Sequence, residues 1–317
     1  MWIFEIGSRI ENILNTAVKI DQPTPESRLR RIQKFIGRMP SLSTTVAKVL
    51  QVCNSPSASP NDLNRVISLD PVLTGQVLKL INSAYYGLPS RITSLPRAII
   101  MLGINTVKNL VLATSVLGSF KNSMGMRQLS IDAFWAHSLC VGVTAKALAQ
   151  IQQVPVIEQE EFFVAGLLHD LGKLPMMACF PDVYEATIEQ ADEEQRPLFG
   201  AERQRIGFNH CQVGRMIAAH WKLNGNIGNA IIFHHQPLDA QSEKSRLLYS
   251  LSLANQAAHR FQIVAGEPAC SLCEDETLLP ALCEQSGLDP DTVFALQPEI
   301  ERQIENAKVF LHVAGKG

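Results

Sequence analysis

Phe163-Val164-Ala165-Gly166-Leu167-Leu168-His169-Asp170-Leu171-Gly172-Lys173 is an apolar helical run that ends abruptly in an imidazole, a carboxylate and an ammonium. A buried charge without a partner is expensive. Adjacent His and Asp at the inner end of such a helix therefore hold something, either each other within a core or a metal ion. The stretch alone leaves both readings open, and the other histidines have to decide between them.

Four of them continue the pattern. His137 shares a helix face with Ala133, Cys140, Val141 and Thr144; His210 is in line with Val213, Gly214 and Ile217; His234 is in line with Ile227, Ala230 and Ile231. His235 follows beside Ile231 and Ile232, before Gln236-Pro237 ends the helix. Asn255 falls on the stripe of Leu248, Leu251 and Ala258, where a buried amide needs partners. One inward His is commonly a satisfied core residue, but five with a carboxylate, carried on helices that can face one another, have the composition of a bundle metal site. Imidazole and carboxylate together suit iron, manganese, zinc or nickel. His220, His259 and His312 lack these surroundings and receive no role.

Nearly every other segment reads as helix. Ile3, Ile6, Ile10, Ile13, Leu14 and Ala17 recur at helical spacing, giving an amphipathic arm over residues 1–27 that Pro23 and Pro25 close. Its mixed charges disfavour a membrane surface and leave packing on its own domain or a dimer contact. From Arg28 the chain becomes a series of short capped helices: Ser59-Pro60-Asn61-Asp62, Asp70-Pro71 and Ser94-Leu95-Pro96 each restart one, while Gly87 and Gly103 stop the ones before. Helices lengthen from Ser130. The acidic run Glu189 to Gln195 reads as a solvated face, and Leu288-Asp289-Pro290-Asp291 caps a final helix interrupted at Pro298 and reaching His312. No alternating strand pattern competes, so the expected class is all-α.

With 317 residues the chain can bury a full core. A formal net charge of −2 and a pI near 6.5 give no basic footprint for nucleic acid. No uncharged run is long enough for a bilayer and the start lacks a signal-peptide layout, so the expected location is cytoplasmic. Seven scattered cysteines read as reduced thiols. Cys270-x-x-Cys273 with Cys283 beyond lacks the second close pair of a structural zinc site and reads as a loop with incidental thiols. No dinucleotide fingerprint, phosphate loop or serine-hydrolase elbow is present.

The order His137, His169-Asp170-x-Gly172-Lys173, His210, His234-His235 resembles the HD superfamily of metal-dependent phosphohydrolases, and in particular its HD-GYP branch. Met39-Pro40-Ser41-Leu42, Leu69-Asp70-Pro71-Val72-Leu73, Asn82-Ser83-Ala84-Tyr85-Tyr86-Gly87 and Ile99-x-x-Leu102-Gly103 are similar to the HDOD domain, the HD-related output domain of bacteria. The resemblance implies an HDOD domain over about residues 28–260, with an HD-like core of longer helices over about 130–260, followed by a C-terminal loop and helix over 261–317. It also implies bacterial signal transduction.

Three departures bear on chemistry. The second aspartate that closes the metal site of catalytic HD enzymes corresponds to Asn255, the Glu that some HD-GYP proteins place before the first His corresponds to Ala133, and the Gly-Tyr-Pro loop is absent. Two divalent ions need several negative ligands, whereas His137, His169, His210, His234 and His235 are neutral and Asp170 is the single carboxylate among them. One ion is therefore expected rather than two. The expected function is regulatory, exerted through contacts with a signalling protein in trans, with a small phosphate or nucleotide ligand and a homodimer as further expectations. The arm, the last helix and the two tyrosines of Asn82 to Gly87 are candidate contact surfaces, the tyrosines reading equally as core aromatics. The competing expectation is a metal-dependent phosphohydrolase or phosphodiesterase acting on a nucleotide, in which Lys173 would stand near the leaving charge.

Overall fold

The structure, a computed structural model, describes residues 24–120, 128–240, 245–261 and 276–314. The helix expected over residues 2–20 and the Cys270-x-x-Cys273 pair lie outside these residues. Every regular element among the described residues is helical. In chain order the α-helices are α1 (Pro25–Arg38), α2 (Thr44–Cys53), α3 (Pro60–Ile67), α4 (Pro71–Ile81), α5 (Leu95–Leu102), α6 (Ile104–Phe120), α7 (Gln128–Ile151), α8 (Val156–Leu168) and α9 (Lys173–Cys179). They continue with α10 (Pro181–Glu193), α11 (Leu198–Arg205), α12 (His210–Trp221), α13 (Gly225–Phe233), α14 (Arg246–Phe261), α15 (Leu279–Ser286), α16 (Pro290–Phe294), α17 (Gln297–Ala307) and α18 (Val309–Ala314).

The caps read from sequence are made by side chains at most of these starts. Ser59 accepts from the Asp62 amide at 3.2 Å, Asp70 from Leu73 at 2.9 Å and Asp289 from Thr292 at 2.9 Å. Each satisfies an orphan amide and contributes about 1 kcal/mol. Ser94 differs: its backbone is extended, but its hydroxyl makes no cap bond, and the proline at the start of α5 supplies the helical geometry instead. Gly103, at φ +86°, ends α5 as expected, whereas α4 stops at Ile81, before Gly87. The agent there is Asn82. Its amide donates to the carbonyls of Leu78 at 2.7 Å and Ile92 at 2.8 Å, and its oxygen accepts from the Ile92 amide at 2.7 Å, which terminates the helix and pins the next loop. Replacing Asn82 by Ala should lower unfolding stability by about 2–4 kcal/mol, since three partners lose their bonds together; urea denaturation followed by circular dichroism measures it.

At the centre, α7 and α8 cross unusually closely. A Cβ on Gly166 would lie 2.5 Å from Gly142 Cα, and one on Gly142 would lie 2.7 Å from the Phe163 carbonyl oxygen. The two bare backbones therefore touch. Helices α6 and α13 also pack on α8, while α14 and α17 pack on α7. That explains why the second half of α8, from Phe162 to Leu168, is apolar and buried around its whole circumference. Val156–Cys179 is long and apolar enough to cross a membrane, but 89% of its most apolar window is buried inside the bundle.

Tyr85 and Tyr86 are packed rather than exposed. The Tyr85 ring lies 5.1 Å from Phe163 and 5.2 Å from Phe310 of α18, and Lys146 donates to its hydroxyl at 3.1 Å while pairing with the buried Glu160 at 2.8 Å. Of Glu189 to Gln195, Glu189, Glu193, Glu194 and Gln195 are solvent-exposed, in and just after the last turns of α10. The last helix is divided into α16, α17 and α18, with its breaks on either side of Gln297–Ala307. Cys283 lies in α15, not in a loop.

Candidate metal centre

The end of α8 delivers His169 and Asp170 into the middle of the bundle, where they are 0% and 1% exposed. Gly172 makes the next approach possible. A Cβ there would fall on the His210 carbonyl oxygen and within 2.7 Å of the Gly214 amide nitrogen, so its absence lets the N-terminus of α12 rest against the turn after Asp170. Asn209 caps α12 through a reciprocal bond with Gln212, which places His210 at its first position. His234 and His235 end α13, His137 stands on α7, and Asn255 faces it from α14.

The structure thus brings together every candidate named from sequence. Asp170 Oδ1 lies 3.3 Å from His210 Nε2 and 3.4 Å from His234 Nε2, and His210 Nε2 lies 3.1 Å from His235 Nε2 and 3.3 Å from His234 Nε2. These four residues can offer ligand atoms within 4.8 Å of one another, and so can His137, His169 and Asp170, which makes Asp170 common to two groups. His169 Nε2 and His137 Nε2 lie 3.2 and 3.7 Å from its Oδ2.

Partners on the outer side of each ring determine which nitrogen faces inward. His169 Nδ1 meets the Gly166 carbonyl at 2.7 Å and His234 Nδ1 the Ala230 carbonyl at 2.9 Å. A carbonyl only accepts, so each Nδ1 carries the proton and each neutral ring turns its Nε2 lone pair to the centre. His210 Nδ1 donates to Glu202 at 2.7 Å. The interior therefore holds lone pairs facing lone pairs, together with carboxylate oxygens: His169 Nε2 and both oxygens of Asp170 are buried without an aligned hydrogen bond, with the Lys173 ammonium paired to Oδ2 at 2.6 Å. A cation satisfies such a set, and the donor types suit a divalent transition metal. A simple core pairing of His169 with Asp170 is not what is observed, since the two acceptors approach without a proton aligned between them.

The electrostatics are consistent with neutral ligands. Burial pushes His137 and His234 well below the usual imidazole range, with His259 and His235 respectively adding to the effect. His210 is lowered by burial as well, although Glu202 opposes the shift. Burial alone would raise Asp170, but His169 and Lys173 outweigh it and hold the carboxyl well below its usual range. In the metal-free protein these shifts link stability to pH. Imidazoles that resist protonation when folded take up protons freely when unfolded, so stability is full above the ordinary value of 6.5 and falls as pH drops below it. Between about pH 6.5 and 5.5 the urea midpoint should fall, at up to about 1.4 kcal/mol per pH unit for each such His.

Two participants received no role from the sequence. Glu202, fully buried on α11, accepts from His210 Nδ1, from the His210 amide at 2.8 Å and from the Tyr184 hydroxyl at 2.7 Å. His259, given no role above, lies one turn beyond Asn255 with its ring 4.7 Å from that of His137. Asn255 Oδ1 and His137 Nε2 are 3.0 Å apart, and Lys173 Nζ stands 2.6 Å from Asp170 Oδ2.

The fold and this cluster agree with what the chain resembles. A model of the HDOD domain matches residues 39–237, more than half of the chain, and the chain belongs to that family. Among solved structures it is similar to an HDOD domain protein of Geobacter sulfurreducens (TM-score 0.67, 24% identity, covering 90% of this chain and 98% of that one). It is also similar to a candidate phosphohydrolase of Shewanella amazonensis SB2B (TM-score 0.64, 24% identity, covering 88% and 98%). A candidate signal transduction protein of Marinobacter aquaeolei VT8 has TM-score 0.65 at 19% identity, covering 92% and 66%. An uncharacterized protein of Treponema pallidum (strain Nichols) is 24% identical over 220 residues, 69% of this chain; the match spans 42% of that relative's length.

Proposed function

We propose that this chain is a regulatory HDOD protein of bacterial signal transduction that holds one divalent metal ion and acts through contacts with a protein partner rather than by efficient hydrolysis. The observation that carries this reading is the asymmetry of the two ligand groups around Asp170. On the Oδ1 side, His210, His234 and His235 converge. On the Oδ2 side, the Lys173 ammonium already stands at 2.6 Å, and Asn255, a neutral amide, engages His137. A second ion there would meet the positive charge of Lys173 and have no carboxylate beyond the shared Asp170, which disfavours a dinuclear centre. The bound ion would supply Lewis acidity and would tie α8, α12 and α13 together.

The substitution Asn255→Asp should raise metal content from about one to about two ions per chain, because it adds a negative ligand beside His137. Plasma mass spectrometry of the purified variant reads this directly; an unchanged stoichiometry would count against the charge argument.

The second reading, a metal-dependent phosphohydrolase or phosphodiesterase acting on a nucleotide, draws support from one feature: Asp170 is shared between two ligand groups with Lys173 beside it. Similarly folded proteins carry names of both kinds, from the Marinobacter signalling protein to the Shewanella phosphohydrolase. Protein loaded with manganese or iron and incubated with phosphodiesters and nucleotides distinguishes the two. The regulatory reading expects no turnover above that of His169→Ala, and turnover that this substitution abolishes would overturn it.

A further inference from the structure

Charge is unevenly placed along the chain. From Pro71 to Ile131 it carries Lys79, Arg91, Arg97, Lys108, Lys121 and Arg127 and no acid, although the whole has a formal net charge of −2. Lys79 of α4 and Arg91 of the following loop flank an open cavity of about 750 Å³. Both are exposed, and among the described residues no carboxylate pairs with either. Besides these two, the cavity is lined by Gly75, Leu78, Leu88, Pro89 and Ile92, with Asn82, Ser90 and Thr93 adding polar groups. Its shape is preformed, because the Asn82 clamp fixes Ile92 against the end of α4. At Gly75 a Cβ would meet nothing within 4 Å, which leaves a notch beside Leu78. One turn earlier Val72 is 64% exposed, and Leu69 just before the helix is 73% exposed. Apolar side chains left in water beside unpaired cations describe a surface shaped for a partner that is both apolar and acidic.

We propose that this cavity is the docking site for an acidic segment of a protein partner, with carboxylates set against Lys79 and Arg91 and an apolar side chain placed in the notch at Gly75. A small phosphate fits less well: the two cations are exposed, and a compact anion would leave the apolar part of the lining, Leu78 and Leu88, uncovered. The site locates the partner contact of the regulatory role and rests on that role. None of its residues belongs to the metal cluster, so metal content is an independent readout.

The probe is a fluorescein-labelled peptide of repeated Leu-Glu-Glu units, titrated with the full chain and followed by anisotropy. Controls are the same peptide with Lys for Glu, the same peptide with Ala for Leu, and inorganic phosphate as competitor. Saturable binding of the acidic peptide is expected, weakening in about 0.5 M salt as the charges are screened. It should fall about tenfold or more in the doubly substituted Lys79→Glu, Arg91→Glu chain, as expected when both charges at a contact are reversed. Gly75→Phe, whose Cβ meets nothing within 4 Å and whose ring occupies the notch, should also block it, and both variants should retain their circular dichroism and metal content. The proposal is overturned if the acidic peptide does not saturate, or if the doubly substituted chain binds it as well as the original. It is also overturned if the Ala-for-Leu peptide binds equally and phosphate displaces it, which would make the cavity a small-anion site. Loss of metal binding with peptide binding intact would refute the metal reading and leave the docking site standing.

Discussion

Replacing Glu202 by Ala should weaken metal affinity by about 10–100-fold, the range found when the outer partner of a ligating His is removed. Glu202 fixes His210 through two bonds at once, to Nδ1 and to the backbone amide that begins α12. Without it the ring is free to place its proton on Nε2, which faces Asp170, His234 and His235, and the lone pair needed by a cation is lost. Two buried donors on His210 and the Tyr184 hydroxyl would also be stranded, so the metal-free variant should unfold about 3–5 kcal/mol more easily. Glu202→Gln separates orientation from charge. Its amide oxygen can still accept from His210 while its NH2 group faces Tyr184, whose hydroxyl can turn to accept. It should therefore retain most of the fold and recover most of the affinity. Competition against a chelator of known strength reads the affinities. Equal loss in Gln and Ala would mean that the negative charge, rather than ring orientation, is what Glu202 provides.

A comparably large effect is expected at Gly172, the small residue of the His169-Asp170-x-Gly172-Lys173 motif. Any Cβ at this position collides with the His210 carbonyl, and backbone cannot yield as a flexible side chain can. Gly172→Ala should therefore push α12 away from the turn after Asp170, opening the 3.3 Å approach of His210 Nε2 to Asp170 Oδ1. Stability should fall by about 2–4 kcal/mol, and metal affinity should drop more than tenfold because ligand geometry is lost along with packing. Unfolding curves with and without metal test both parts. If Gly172→Ala keeps full metal content, the close contact between α8, α12 and the cluster is not what sets the ligand geometry.

Much of the site was legible because its residues break a pattern. His137, His169, His210, His234 and Asn255 are polar side chains on apolar helical stripes, and a side chain's face on a helix follows from spacing alone. Glu202 breaks no pattern: it lies in Gly200-Ala201-Glu202-Arg203-Gln204-Arg205, where a charged residue is ordinary, and only the tertiary approach of α11 to His210 makes it exceptional. His259 does carry a sign in the sequence, since it stands four residues after Asn255 and so on the same helical face. The helix caps were readable from local chemistry at Ser59, Asp70 and Asp289. The stop at Ile81 was not, because Asn82 ends α4 by reaching ten residues ahead to Ile92, a partner that no local rule supplies. The close crossing of α7 and α8 was written in Gly142 and Gly166, but two mid-helix glycines acquire that meaning only when the helices are known to meet.

The one-ion centre is tested most directly by metal analysis of the purified chain combined with anomalous scattering from its crystals. One ion per chain is expected, within ligand distance of Asp170 Oδ1, His210, His234 and His235, with Lys173 still against Oδ2. Absence of bound iron, manganese, zinc or nickel after loading would contradict the metal reading. A second anomalous peak between His137 and His169 would contradict the asymmetry on which the regulatory reading stands.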